Sequence, residues 1–199
     1  MAQKLAKLAT REALLEAAKQ VLRERGYAAL STREVAAAAG VPLSQIHYHF
    51  GSKQGLMLAL FEYLDAQLLD RQQALFDDPS LSLADQWDRA CAYLDEDLAS
   101  GYVRVMHELA AAGWADPAVG DVVRKSLEDW TGLVIELARR FERKFGPLGP
   151  LSAQEVGALV SNAFIGAESL VLAGLEKGDI PIRESLRRVG ALIRSLESR

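Results

Sequence analysis

Between positions 43 and 53 the chain sets Leu43, Ser44, Gln45, His47, Tyr48, His49 and Lys53 close together. A glutamine amide can bond the N6 and N7 edge of adenine twice, a serine hydroxyl reaches several base edges or a phosphate, and a leucine can touch a thymine methyl. Tyrosine, histidine and lysine suit phosphate oxygens. The lysine does so best in the first turn of a following helix, where backbone N–H groups also face outward. Residues of these types point to a surface that reads duplex DNA. His47 and His49 do not form a metal pair, because residues two apart on a helix point about 200° apart.

Other reactive types are scattered. Cys91 is the single cysteine, which excludes a disulfide within the chain and argues against a thiolate metal cluster. Cys91, His107 and a carboxylate would be the parts of a nucleophile set, but no catalytic signature surrounds either residue. No enzyme activity, catalytic residue, metal or cofactor is expected.

The reading face needs a scaffold, and its flanks supply one. Leu14, Ala18, Val21 and Leu22 fall at i, i+4, i+7 and i+8 and predict a helix from about Thr10 to Arg25, closed by Gly26. Ser31-Thr-Arg-Glu34 has the form of a capping box, so a second, short helix starts there and ends before Gly40. Gly40 allows the φ > 0 residue of a tight turn, and Pro42 is tolerated in the first turn of a third helix ending near Phe50. Helix, Gly-containing turn and helix are the ingredients of a helix-turn-helix, whose second helix lies in the major groove. Small Ala36, Ala37 and Ala39 let the two helices approach, with Val35, Val41 and Ile46 between them; Phe50 is expected in the core. Ser52 can cap a fourth helix reaching about Phe76.

Further helices are expected at about 83–99, 102–112, 117–145, 152–176 and 183–197. The breaks carry chemical signatures: Asp116-Pro117 is a cap followed by a first-turn proline, Gly146-Pro-Leu-Gly-Pro150 cannot continue a helix, and Ser152-Ala-Gln-Glu155 is another capping box. Gly178-Asp-Ile-Pro181 separates the last two helices. The expected fold class is all-α, with an N-terminal three-helix helix-turn-helix head, residues 1–54, joined to a larger helical body, residues 55–199.

Composition agrees with this division. Of 199 residues, 50% are hydrophobic, enough to fill a real core. No apolar run reaches the roughly 18 residues of a membrane span, and the opening MAQKLAKLATRE has no apolar signal region, so a cytoplasmic protein without a membrane partner is expected. The formal net charge of -4 is unevenly spread. Residues 1–55 carry eight Lys/Arg against four Glu, or +4, leaving 15 basic and 23 acidic side chains, or -8, in the rest. A basic head suits a polyanion.

At this point the chain resembles the tetracycline-repressor (TetR) family of transcriptional regulators. The likeness is carried by LLEAAKQVLRERGY at residues 14–27, the Ser-capped helix from Ser31 to Ala39, Gly40-Val41, Tyr48-His49-Phe50 and Lys53. Pro42 stands where that family generally has a capping Ser or Thr, His47 replaces a common Tyr, and Leu43 a frequent Lys. The resemblance implies a DNA-contacting set of Ser31, Thr32, Leu43, Ser44, Gln45, His47, Tyr48, His49 and Lys53. It also implies a body that binds an effector and dimerises.

Residues 80–180 hold Trp87, Trp114 and Trp130 with several other aromatics. Pockets between helices have such apolar walls and a few convergent polar groups. The expected lining is Trp87, Cys91, Tyr102, Met106, Trp130 and Phe164, with His107, Asn162 and Glu168 as the polar groups. Ile182, Leu186, Val189, Ile193 and Leu196 form a stripe at helical spacing, and the helix before it is rich in small residues. A homodimer interface is therefore expected around Gly157, Ala167, Leu186, Val189 and Ile193. The expected function is a ligand-responsive regulator, a repressor released from a palindromic double-stranded operator by a small, largely apolar effector. The alternatives are an activator of the same family, or a helical carrier or enzyme that does not act through DNA.

Overall fold

The computed structural model describes residues 2–27, 30–177 and 180–198. Among these, nine α-helices account for nearly all regular structure: α1 Ala2–Arg25, α2 Thr32–Ala38, α3 Ser44–Phe50, α4 Lys53–Phe76, α5 Leu83–Ser100, α6 Tyr102–Gly113, α7 Pro117–Phe145, α8 Ala153–Leu172 and α9 Ile182–Glu197. The all-α expectation holds, and most helix ends fall where the cap chemistry puts them. Ser152 makes its box in full, its hydroxyl accepting from Glu155 N and the Glu155 carboxylate accepting from Ser152 N. Asp116 accepts from Ala118 N at 3.1 Å at the start of α7.

Three local expectations are corrected. α1 begins at Ala2, not near Thr10, because the Ala, Lys, Leu and Gln residues ahead of the apolar stripe are good helix formers with no breaker among them. At α2 only half of the capping box is made. Ser31 accepts from Glu34 N at 3.2 Å, while the Glu34 carboxylate pairs with Arg25. α8 ends at Leu172 and not near 176, since Gly174 takes a left-handed φ of 81° and a 3-10 turn follows at Leu175–Lys177. The expected break at Gly178 and Asp179 lies outside the described residues.

The helices group into two compact units. The first takes the residues up to Ala66 together with Ala99–Val123. Its core is Leu14, Ala18, Val21, Leu22, Val35, Ile46, Leu60, Phe61, Val103 and Val105, all buried. Tyr102 stacks on Phe61 with ring centroids 5.5 Å apart and donates its hydroxyl to Asp65 at 2.8 Å. The second unit takes Gln67–Leu98 and the residues from Arg124 onward. It is built around Trp87, Tyr93, Leu94, Phe164, Ala167, Ile182 and Leu186.

Among the described residues α8 is the one helix that is by length and composition apolar enough to cross a membrane. No uninterrupted apolar run exists there, but Ala, Val, Leu, Ile and Phe outweigh its few polar residues over the whole helix. One side is buried through Gly157, Ser161, Phe164 and Ala167, and the other exposes Leu159 and Leu170.

Candidate functional site

The turn between α2 and α3 is built by backbone hydrogen bonds. Gly40, at φ 66°, donates to Ala37 O at 3.1 Å, and Val41 donates to Ala36 O at 3.0 Å. These are the paired bonds of a Schellman ending, which needs a left-handed residue at the position Gly40 holds. α3 then starts without a side-chain cap: Leu43 is helical at φ -55° and the first turn closes through Gln45 N to Pro42 O and Ile46 N to Leu43 O. Pro42 thus lies one residue ahead of the cap, Leu43, and not in the first turn of α3 as expected. Gly51 closes α3, and Ser52 caps α4 by accepting from Gly55 N at 3.0 Å.

Ile46 is fully buried and anchors α3. Ser44, His47 and Tyr48 are exposed, Tyr48 at 63%, while Leu43, Gln45, His49 and Phe50 are half-buried. Lys53 is exposed in the first turn of α4. Ser31 and Thr32, at the start of α2, are half-buried. His47 Nδ1 lies 3.3 Å from the Gly51 carbonyl oxygen, which accepts its proton in the Nδ1–H tautomer.

Two cations that sequence reasoning passed over join this face. The Lys7 ammonium lies 4.7 Å from the centre of the Tyr48 ring, and the Arg11 guanidinium 5.6 Å from that of Phe50. Burial, then Lys7 and Arg11, pull the His49 pKa below the ordinary imidazole range, so at neutral pH His49 offers a hydrogen bond and not a charge. The signal for Lys7 and Arg11 was the excess of positive charge in the head, which does not say which helix face it occupies.

In the second unit, Trp87, Phe164 and Trp130 form an edge-to-face chain with centroids 5.5 and 5.9 Å apart. Cys91 is buried in the same core, and burial followed by the charge of Asp88 pushes its thiol pKa up to about 11, so it is no thiolate. The Glu168 carboxyl is pushed up to about 8 by desolvation and then by Asp97. Asp97 is itself raised to about 6 by burial, against two hydrogen bonds from Arg71 at 2.7 and 2.8 Å. Asn162 is exposed, which removes it from the expected lining. Tyr102, Met106 and His107 belong to the first unit; burial lowers the His107 pKa. Among the described residues no cluster of His, Cys, Asp and Glu is arranged to hold a metal.

A cavity of about 190 Å³ opens in this unit, walled by Leu83 and Trp87 of α5, Val134, Leu137, Ala138 and Phe141 of α7, Leu148 of the following loop, Val156 and Val160 of α8, and Val189 and Ile193 of α9. Of the expected lining only Trp87 contributes, whereas Val189 and Ile193 had been assigned to a dimer interface. Three other interface residues are corrected as well. A side chain at Gly157 would stand 2.6 Å from Ile135 Cα, and Ala167 and Leu186 are buried, so all three face the chain's own core. The apolar stripe of α9 finds its partner within the same chain.

A short helix pinned by one isoleucine, preceded by a Gly turn and showing its amides, hydroxyls and rings to solvent, defines a helix-turn-helix protein. Residues 14–60 match the family model described as bacterial regulatory proteins, tetR family. The chain is similar to the HTH-type transcriptional regulator CymR of Pseudomonas putida, with 34% identity over 125 residues, 60% of this chain and 58% of that protein. It is 28% identical to the HTH-type transcriptional repressor KstR2 of Mycobacterium tuberculosis over 72% of this chain and 85% of that one. Among solved structures, a TetR transcription regulator from Haloarcula marismortui superposes with a TM-score of 0.72 at 18% identity, covering 93% of this chain and 96% of that chain. A TetR-family regulator from Pectobacterium atrosepticum does so at 0.67 and 25% identity, covering 97% and 93%. The family match thus covers residues 14–60, and over nearly its whole length the chain shares the fold of these solved regulators. It spans little more than half the length of CymR in the matched region.

Proposed function

We propose that this protein is a homodimeric, cytoplasmic DNA-binding transcriptional regulator that acts as a repressor. A small apolar effector held by the body releases it from a near-palindromic operator. The observation that carries the reading is α3: pinned by Ile46, it presents Ser44, Gln45, His47 and Tyr48 outward, with Lys7 and Lys53 beside them. The likeness to CymR, a transcriptional regulator, and KstR2, a transcriptional repressor, supports the regulatory reading and, through KstR2, the sign of the response.

Residues 1–54 serve as the reader and 55–199 as the sensing and dimerising part. α4 runs unbroken from Lys53 to Phe76, so a ligand that favours one position of its C-terminal half biases the position of α3. For the dimer, the exposed stripe of Leu159, Asn162, Ala163 and Leu170 on α8, with Leu192 on α9, offers an apolar face to a second copy. A twofold pair of heads demands a two-half operator with its half-sites on one face of the duplex.

A band shift on DNA flanking the protein's own gene, at low and high salt, tests the reading. Retarded DNA that persists against random competitor is expected. A helical carrier or enzyme that does not act through DNA would leave that DNA unretarded at low salt.

A further inference from the structure

Leu83, in the wall of the α5–α7–α8–α9 cavity, is bonded to a carboxylate from the chain itself. Glu197, in the last turn of α9, accepts from the backbone N–H of Leu83 at 3.0 Å and of Ala84 at 3.3 Å, the first two residues of α5. Lys144 of α7 donates to the same carboxylate at 3.0 Å. Three links place this cluster at the cavity: Leu83 lines it, Ile193 lies one turn before Glu197, and Phe141 lies one turn before Lys144. The Glu197 side chain is only 12% exposed. Burial pushes its pKa up, but Lys144 and the two N–H groups outweigh this and hold it below the ordinary carboxylate range.

We propose that the cavity takes the hydrocarbon body of a small monocarboxylic acid, whose carboxylate replaces that of Glu197 between Lys144 and the first turn of α5. The walls set the body: eleven lining residues, all apolar, around a space of about 190 Å³. An engineered apolar cavity of about 150 Å³ in another protein stays dry and takes up benzene, so this volume suits a single ring or a short branched chain. The neighbouring cluster at Leu83 sets the head group, because its donors are already arranged around a carboxylate. The exchange is neutral in charge: one anion leaves Lys144 for solvent as another arrives.

Glu197 is cheap to displace. It lies in the last turn of α9, next to the helix end at Ser198, where helices fray. While bound it ties α9 to both α5 and α7; once displaced, that end of α9 is untied. The proposal deepens the regulator reading above and rests on it only in calling the acid an effector.

The test is calorimetric titration of the full chain, without DNA, with cyclohexanecarboxylate and its uncharged twin cyclohexylmethanol. The acid is expected to bind at least about tenfold more tightly than the alcohol, the scale of one charge-assisted contact. Lys144→Met should bring the acid down to the alcohol's affinity. Glu197→Gln should tighten the acid by about tenfold while leaving the alcohol unchanged, since an internal competitor lowers apparent affinity by the fraction of sites it occupies. Equal binding of the two probes by the wild-type chain, binding of neither, or a Glu197→Gln variant that binds the acid no better would each overturn the proposal. The probe pair needs no variant, so poor folding of either substitution leaves the comparison decisive. Absence of DNA binding in a band shift would sink the regulator reading and leave these titrations unaffected.

Discussion

The Trp87 indole N–H donates to the main-chain oxygen of Leu186 at 2.8 Å, tying α5 to a residue 99 positions further along the chain. Both residues are buried. Next to this bond the helices nearly touch, since a side chain at Gly190 would stand 3.1 Å from Trp87 Cδ1 and 2.2 Å from the Asp88 carboxylate. Trp87→Phe keeps a ring against Phe164 but removes the side-chain donor to the buried Leu186 carbonyl. We expect a loss of about 1–3 kcal/mol in urea unfolding. An unchanged midpoint and slope would show that the bond contributes nothing.

Leu186 and Leu159 should behave as opposites. Leu186 is a core residue of one chain, so Leu186→Ala should cost about 2–5 kcal/mol and leave the oligomeric state alone. Leu159 is 58% exposed and Leu192 66%. Replacing both with Glu should yield folded monomers in light scattering at little cost in chain stability. Dimers that persist would move the interface away from this stripe.

The raised carboxyls predict an alkaline weakness. Glu168 has a pKa of about 8 in the fold against an ordinary 4.5, and Asp97 about 6 against 3.8. A raised folded-state pKa means the native protein holds protons that the unfolded chain has released. The associated stability is complete below the unfolded values and falls as pH rises through about 8. Glu168→Gln should therefore raise the melting temperature at pH 8.5 and change it little at pH 4.5. A larger gain at acid pH would contradict the assignment.

The outer face of α3 predicts two kinds of loss. Lys53→Ala should weaken operator and random DNA alike and lower the slope of log affinity against log salt by about 1 per monomer, or about 2 per dimer. Lys7→Ala should do the same if the ammonium over Tyr48 faces phosphate. Anisotropy titrations at several salt concentrations separate these from a mere folding defect, which would leave the slope unchanged.

How much of this was legible in the sequence depended on how local the cause was. Ser152 with Glu155, Asp116 with Pro117, and Gly40 act within a few residues of themselves, so the starts of α7 and α8 and the α2–α3 turn could be read directly. The periodic apolar positions of α1 were legible for the same reason. Partnership was not. A stripe such as Leu186, Val189 and Ile193 says that a helix must be covered, but not whether its own chain or a second copy covers it. Glu34 carries the pattern of a capping box, yet its carboxylate is taken by Arg25, a competitor from α1. Asn162 and Glu168 looked alike among apolar neighbours. They lie six residues apart on α8, about 120° apart around the helix, so that Asn162 is exposed where Glu168 is half-buried. The cavity over Trp87 draws walls from four helices and a loop, which no spacing along one of them reveals.

The central claim is that α3 reads a DNA sequence, and selection from a pool of random duplexes tests it most directly. Wild-type protein should enrich a near-palindrome whose half-sites lie one helical turn, or a multiple of it, apart. If Gln45 reads an adenine edge, Gln45→Ala should bind that sequence more weakly by about 1–3 kcal/mol and random DNA almost unchanged. A pool that shows no enrichment with folded, dimeric protein, or equal losses for Gln45→Ala on selected and random DNA, would contradict it.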